Sequence, residues 1–353
     1  MQIENVFYFR KINTIGGVES FFYYLSKLFK NMVVYYETAD PLQVERLAKN
    51  IEVRKHKGET IKCKRLFGNY GLDNFLPYVE AEEKYFIIHC DYKRNKYASP
   101  LIYPWFKYIA VSKLAGESFK EMTGLDYELI YNPIVLEKPN VEKKKGLHLI
   151  SATRLSGEKG AWRILLLSEM LDKAGIKYDW DIYTNKPKKL DVTKLSPNIH
   201  LKEPKLDLTK EMAEATWLVQ LSDHEAFGLS VAEALILGTP VIVTDIPAFH
   251  EIGCNDSNSI ILDLFMTNVD IDKIVEGKKP FKYTPPKSNW DKYLDNNREY
   301  NPNELVDVKV IKKYTDVELG QKLERFTISG KTIPMTKLRA SYLEAKSLVK
   351  ICE

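Results

Sequence analysis

Residues 217–253 leave the chain few ways to fold. Trp217–Leu221 is a short apolar run of strand type, and a polar turn, S-D-H-E-A-F-G, follows it. From Leu229 to Leu237 the apolar residues recur at helical spacing. Gly238 stops that helix and Pro240 stands just beyond the stop. Val241–Val243 is apolar without alternation, the pattern of a strand covered on both faces in a parallel sheet.

The same alternation runs along the chain in both directions. Strands are expected at Asn5–Phe9, Met32–Tyr36, Ile51–Arg54, Tyr85–Cys90, Tyr108–Ser112 and Tyr127–Tyr131, with helices over 18–29, 41–49 and 113–122 between them. Val135–Gly146 is charged, holds Pro139 and lacks periodicity, so it reads as a solvated linker. A second half begins with strand Leu147–Ala152, helix Ala161–Ala174 and strand Tyr178–Tyr183. Strand Asn198–Leu201, helix Asp207–Ala215 and strand Ser259–Leu264 continue it. Asn289–Arg298 reads as a short helix. In the tail, Val306–Asp316 alternates like an edge strand, Gly320 and Gly330 punctuate, and 336–350 has helical character.

Composition limits the function classes. With 52 basic and 48 acidic residues the net charge is only +4, too even to argue for nucleic acid. Cys63, Cys90, Cys254 and Cys352 are scattered without a C-x-x-C spacing, which points away from zinc and disulfides and toward a reducing cytoplasm. The N-terminus has no basic-then-apolar order, and no apolar run is long enough to span a bilayer. A cytoplasmic protein is expected, with peripheral attachment to a membrane left open.

Four constellations carry chemistry. Gly16 and Gly17 stand between a strand and a helix, where a tight turn lets backbone approach a ligand. His89 closes the strand Tyr85–Cys90, and strand ends are where open α/β sheets place ligands. Arg154 and Lys159 lie in the loop after Leu147–Ala152, two cations suited to phosphate oxygens. Glu225 lies in the loop before the helix of 229–237 and Glu233 on that helix, two acceptors for sugar hydroxyls beside a helix start that favours an anion. A surface Glu and a first-turn Glu favouring the helix dipole would give the same pair. Ser112 suits a helix N-cap equally well as an acceptor contact.

Taken in order, G-G-V-E, a His after a strand, R-x4-K-G, E-x7-E around F-G, then G-T-P-V and E-I-G resemble the retaining nucleotide-sugar glycosyltransferases of the GT-B fold, group 1 or family 4 type. The resemblance covers roughly residues 1–300. It implies an α/β protein of two Rossmann-like domains facing across a cleft. These would be an acceptor domain at 1–140, a donor domain at 146–285 and a crossover helix at 286–300, with a small appendage at 306–353. It implies catalysis by Glu225, Arg154, Lys159 and His89. It implies donor binding by Gly16, Gly17, Asn132, Phe227, Gly228, Leu229 and Glu233. The co-substrate would be a nucleotide-sugar, UDP-sugar first, with no cofactor and no metal. D-W-D at Asp179–Asp181 sits within an expected strand and is rejected as a metal motif. Y-T-N-K-P at 183–187 departs from the G-x-G-x-P turn of the family, which leaves the nucleobase contacts open.

The acceptor is also open among a glycan, a lipid-linked precursor, a protein and a DNA base. Rival readings are a nucleotide-sugar epimerase or hydrolase on the same fold, and a non-catalytic carbohydrate- or virion-binding module. The tail resembles small domains appended to proteins of phages of Gram-positive bacteria, which implies a phage or prophage origin and a docked protein partner.

Overall fold

Seven strands in the first part of the chain align in the order β5-β3-β1-β6-β7-β8-β9. They are β1 (Ile3–Tyr8), β3 (Met32–Tyr36), β5 (Glu52–Lys55), β6 (Ile61–Gly68), β7 (Val79–Ile88), β8 (Lys107–Ala110) and β9 (Glu128–Leu129). The short pair β2 (Lys11–Ile12) and β4 (Thr38–Ala39) lies apart from them. The computed structural model describes residues 3–13, 15–94, 99–185, 195–295, 299–312, 314–318, 321–326 and 332–352, with side chains omitted over 313–331. Pairing of β1 with β3 and β6, of β3 with β5 and of β6 with β7 is parallel. Parallel strands need helical crossovers, supplied here by α1 (Gly17–Leu28) and α2 (Pro41–Ala48). Asp40 caps α2 through the Leu42 amide and Pro41 opens its first turn. Helix α3 (Lys113–Thr123) ends on Gly124 in the left-handed region.

The second sheet has the order β12-β11-β10-β13-β14-β15 and is parallel throughout. Its strands are β10 (Leu147–Ala152), β11 (Tyr178–Tyr183), β12 (Ile199–Lys202), β13 (Trp217–Gln220), β14 (Val241–Thr244) and β15 (Ser259–Leu262). Helices α4 (Ala161–Lys173), α5 (Thr209–Glu214), α6 (Leu229–Ile236), α7 (Pro247–Glu251) and α8 (Ile271–Glu276) connect them. One face of the sheet packs Leu218, Val241 and Val243 against α6, and the other packs Trp180, Trp217 and Ile242 against α4. Asp179 and Asp181 do lie within β11, where His148 and His200 face the first and Lys144 and Lys202 the second.

The chain divides into two compact units: residues 1–87, 103–109 and 289–353 form one, and 88–102 with 110–288 the other. Residues 135–146 fall within the second unit and are largely exposed, in keeping with a solvated stretch. Leu136 and Val141 pack against the core beneath α6. The Lys143 ammonium bonds the Ala215 carbonyl and the Thr239 hydroxyl, and burial pushes its pKa down to about 8.

In the first unit, the expected helix over 289–298 is a single 3-10 turn, Trp290–Lys292, and residues 296–298 lie outside the described ones. Trp290 drives this turn into the core against Phe7, Phe21 and Phe67. The tail forms β16 (Leu305–Val310), β17 (Tyr314–Glu318), β18 (Gln321–Phe326), β19 (Thr332–Thr336), α9 (Lys337–Ala345) and β20 (Val349–Ile351). β16 is the central strand of β19-β16-β20 rather than an edge, because its alternating Val308 and Val310 bury against Leu343 of α9. The helix expected over 336–350 stops at Ala345, where Ser347 turns left-handed and releases β20. Gly320 and Gly330 fall outside the described residues. The tail packs through α9 on α2, and buried Glu344 meets Lys57 at 2.6 Å.

Candidate active site

β10 and β13 are adjacent and parallel, with Ile150 opposite Leu218. The loops that follow them, 153–160 and 221–228, therefore leave from one edge of the sheet, where open α/β folds bind ligands. The two loops touch. The Asp223 amide donates to the Glu158 carbonyl at 2.9 Å. Gly160, at φ +72°, passes so close to the other loop that a Cβ would lie 1.8 Å from the Leu221 oxygen.

That contact brings Lys159 to Glu225, Nζ to Oε1 at 2.7 Å, with side chains 18% and 17% exposed. The same Oε1 accepts from the Ser222 hydroxyl at 2.8 Å and the Gln220 amide at 3.2 Å. Gln220 also donates to Ser222 Oγ at 2.7 Å and to Thr153 Oγ1 at 3.3 Å. Thr244, at the end of β14, holds the Ser222 carbonyl at 2.6 Å. Glu225 is thus gripped through one oxygen by charge-assisted bonds.

Arg154 leaves the same loop as Lys159 but turns to Glu158 at 2.8 Å, and its side chain is 67% exposed. The two cations therefore share a loop without sharing a partner. Gly228 begins α6 at φ 93°, ψ 52°, and its missing side chain makes room for Phe249 of α7. Phe227 is buried, Leu229 half-buried, and Glu233 lies half-buried on α6. Ser112 both caps α3 and donates to the Ala226 carbonyl at 2.6 Å, while Glu251 of α7 accepts from the Lys113 and Leu114 amides at 2.6 and 3.2 Å. So Ser112 fills the capping role and also braces the loop that carries Glu225.

His89 follows β7 and belongs to the second unit. It keeps part of its surface, but Nε2 is enclosed, and that burial pushes its pKa down to about 3. The ring is neutral at any working pH. Because the unfolded chain takes up this proton near pH 6.5 and the folded one only near 3, stability should fall as pH drops between those values. His89→Gln should flatten that part of the pH profile in chemical denaturation; an unchanged slope would assign it to other groups. Asn132, after β9, is buried, and among the described residues its Oδ1 has no hydrogen-bond partner. Tyr131 beside it lies 6.3 Å, ring to ring, from Phe227.

Gly16 and Gly17 belong to the other unit. Gly16 is extended, at φ −161° and ψ 179°, and Gly17 is the first residue of α1, so no tight turn requires the pair. Sequence reasoning missed Gln220, Ser222 and Thr153 as the frame of Glu225. The available signal was a glutamine inside the otherwise apolar run of β13.

Residues 135–277 match the family Glycosyl transferases group 1. No curated protein matches the chain. Among solved structures, Anabaena Alr3699/HepE in complex with UDP and glucose shares the fold with a TM-score of 0.59 at 14% identity, over 74% of this chain and 86% of that one. A glycosyltransferase from Rickettsia africae gives 0.55 at 12% identity, over 74% and 84%. WaaG, a glycosyltransferase involved in lipopolysaccharide biosynthesis, gives 0.51 at 16%, over 77% and 89%. The fold is that of the GT-B glycosyltransferases, with two Rossmann-like domains. Among the described residues no helix is long and apolar enough to cross a membrane.

Proposed function

We propose that this chain, an enzyme carrying a group 1 glycosyltransferase domain, moves a sugar from a nucleoside diphosphate sugar to a hydroxyl acceptor with retention and without a metal. The observation that carries it is the Lys159–Glu225 pair, set by Gln220 and Ser222 at the shared edge of β10 and β13. One cation and one acid held at a strand end, beside the N-terminus of α6, suit a diphosphate attached to a hydroxylated ring. UDP is the first nucleotide to test, because UDP lies in the Anabaena structures of the same fold.

In the reaction the bond from the anomeric carbon to the diphosphate oxygen breaks and a bond to the acceptor oxygen forms. The acceptor proton leaves with the diphosphate or to water. Lys159 and Arg154 supply positive charge to the departing oxygens, where it is worth more than in the ground state. Glu225 takes the sugar hydroxyls through its second oxygen and Glu233 the ribose hydroxyls. Neutral His89 bonds the sugar, Asn132 Oδ1 accepts from the donor, and backbone at Phe227–Leu229 lies along the diphosphate. Four unpaired cysteines fit a reducing cytoplasm. The phage origin and a protein partner for the tail rest on the sequence resemblance of the tail.

A thermal-shift screen with UDP-, GDP- and ADP-sugars tests the reading, since a true donor raises the melting temperature. The stabilising donor is then incubated with and without acceptor glycans and the products identified. No stabilisation by any nucleotide would point to a non-catalytic module, and an isomerised donor without acceptor to an epimerase.

A further inference from the structure

We infer that Arg163 is a positioning residue for the active-site loop. It sits in the first turn of α4, the helix that follows β10, and it is 4% exposed. Its guanidinium is divided among separate parts of the sheet edge. Nη1 donates to the Leu221 carbonyl at 3.1 Å and meets Asp223 Oδ1 at 2.6 Å, both in the loop after β13. Nε donates to the Leu264 carbonyl at 2.9 Å, in the loop after β15. β14 lies between those two strands, so one side chain spans three strand positions.

The Leu264 end is a firm anchor. Asp263 accepts from the amides of Phe265, Thr267 and Asn268 and from the Thr267 hydroxyl, and Met266 is held left-handed at φ 62°. At the other end, Leu221 immediately precedes Ser222, and Asp223 stands two residues before Glu225. A planar fork with fixed donors makes such divided contacts where a lysine ammonium cannot reproduce them all. Arg163 therefore fixes the loop that presents Glu225 to Lys159, without being placed to touch a ligand. Its charge is spent on Asp223 and two carbonyls rather than on the diphosphate, so it is distinct from the roles of Arg154 and Lys159.

The catalytic part of this inference rests on the glycosyltransferase reading; the loop-fixing part does not. The experiment compares wild type, Arg163→Met, Arg163→Lys and Asp223→Asn by hydrogen exchange and by donor kinetics. In R163M, amides of 221–228 and 263–268 should exchange faster while β10 and β13 stay protected. Its kcat should fall about 30- to 100-fold with the donor KM within about threefold, the pattern of a displaced group rather than a lost binding contact. R163K should recover part of the loss and D223N should lose less than R163M. Unchanged exchange in both loops, or faster exchange with wild-type kcat and KM, would overturn the positioning role. Faster loop exchange in a protein whose wild type turns over no donor would instead sink the glycosyltransferase reading while keeping the tether. If R163M does not fold, R163K and D223N carry the same comparison.

Discussion

Replacing Glu225 by glutamine should lower the turnover of sugar transfer by about 10²–10³-fold, the loss typical of one preorganised transition-state contact. Its Oε1 receives Lys159, Ser222 and Gln220 at 2.7, 2.8 and 3.2 Å. Glutamine keeps one acceptor oxygen but adds an NH₂ group, which must face either the Lys159 ammonium or the ligand. Neither arrangement preserves the charge that aligns Lys159. Lys159→Met should cost a similar factor, because it removes the cation and leaves Glu225 without its counter-charge. As the two act as a unit, the double variant should be little worse than the worse single. Each single change should also cost roughly 1–3 kcal/mol in stability, the penalty for an enclosed polar group deprived of its partner. Steady-state kinetics at saturating donor, with urea denaturation of each variant, separates the two effects. Two single variants within threefold of wild type in kcat/KM would remove this pair from the chemistry.

Much of the fold was legible because the second sheet is parallel throughout and packed on both faces. β10 and β11 fall where the sequence reading places them, at Leu147–Ala152 and Tyr178–Tyr183, although His148, Asp179 and Asp181 interrupt their apolar residues. β6 was not legible, since Lys62, Lys64 and Arg65 crowd its apolar residues. In the sheet those charges are answered by neighbouring strands: Lys62 meets Glu80 at 2.8 Å, and Arg65 meets Glu83 at 3.1 Å. Register, which a single segment does not contain, turns a polar-looking stretch into an interior strand. The tail misled for a related reason: alternation in β16 marks one buried face but not whether one strand or two will flank it.

The site divides in the same way. That Lys159 and Glu225 each follow a strand could be read from local pattern; that they meet across 66 positions could not. Arg154 shows the limit most clearly. Its spacing from Lys159 suggested a joint clamp, yet an acid four residues on, Glu158, takes it first. Arg163 was hidden because an arginine among Ile and Leu on a helix looks like a solvated position until the carbonyls it reaches are known.

Gly160→Ala should be among the most destabilising single-methyl changes in the second unit, and Gly175→Ala provides its control. The two glycines flank the same helix: Gly160 is the N-cap of α4 and Gly175 follows its C-cap. Both are left-handed, at φ +72° and +68°. Alanine in that region costs roughly 1–2 kcal/mol for backbone strain alone. Around Gly175 nothing lies within 4 Å of a built Cβ, so strain should be the whole cost. At Gly160 the Cβ would stand 1.8 Å from the Leu221 oxygen and 2.7 Å from its carbonyl carbon. Backbone at the end of β13 cannot step aside without shifting Ser222 and Glu225 with it. The clash should add a further 2 kcal/mol or more, on the order of what overpacking a filled interior costs. Denaturant unfolding should therefore separate the variants by at least about 2 kcal/mol, and G160A alone should lose turnover through displacement of Glu225 from Lys159. Equal destabilisation of the two, with full activity in both, would mean that the loops after β10 and β13 are not in the contact from which the site is built.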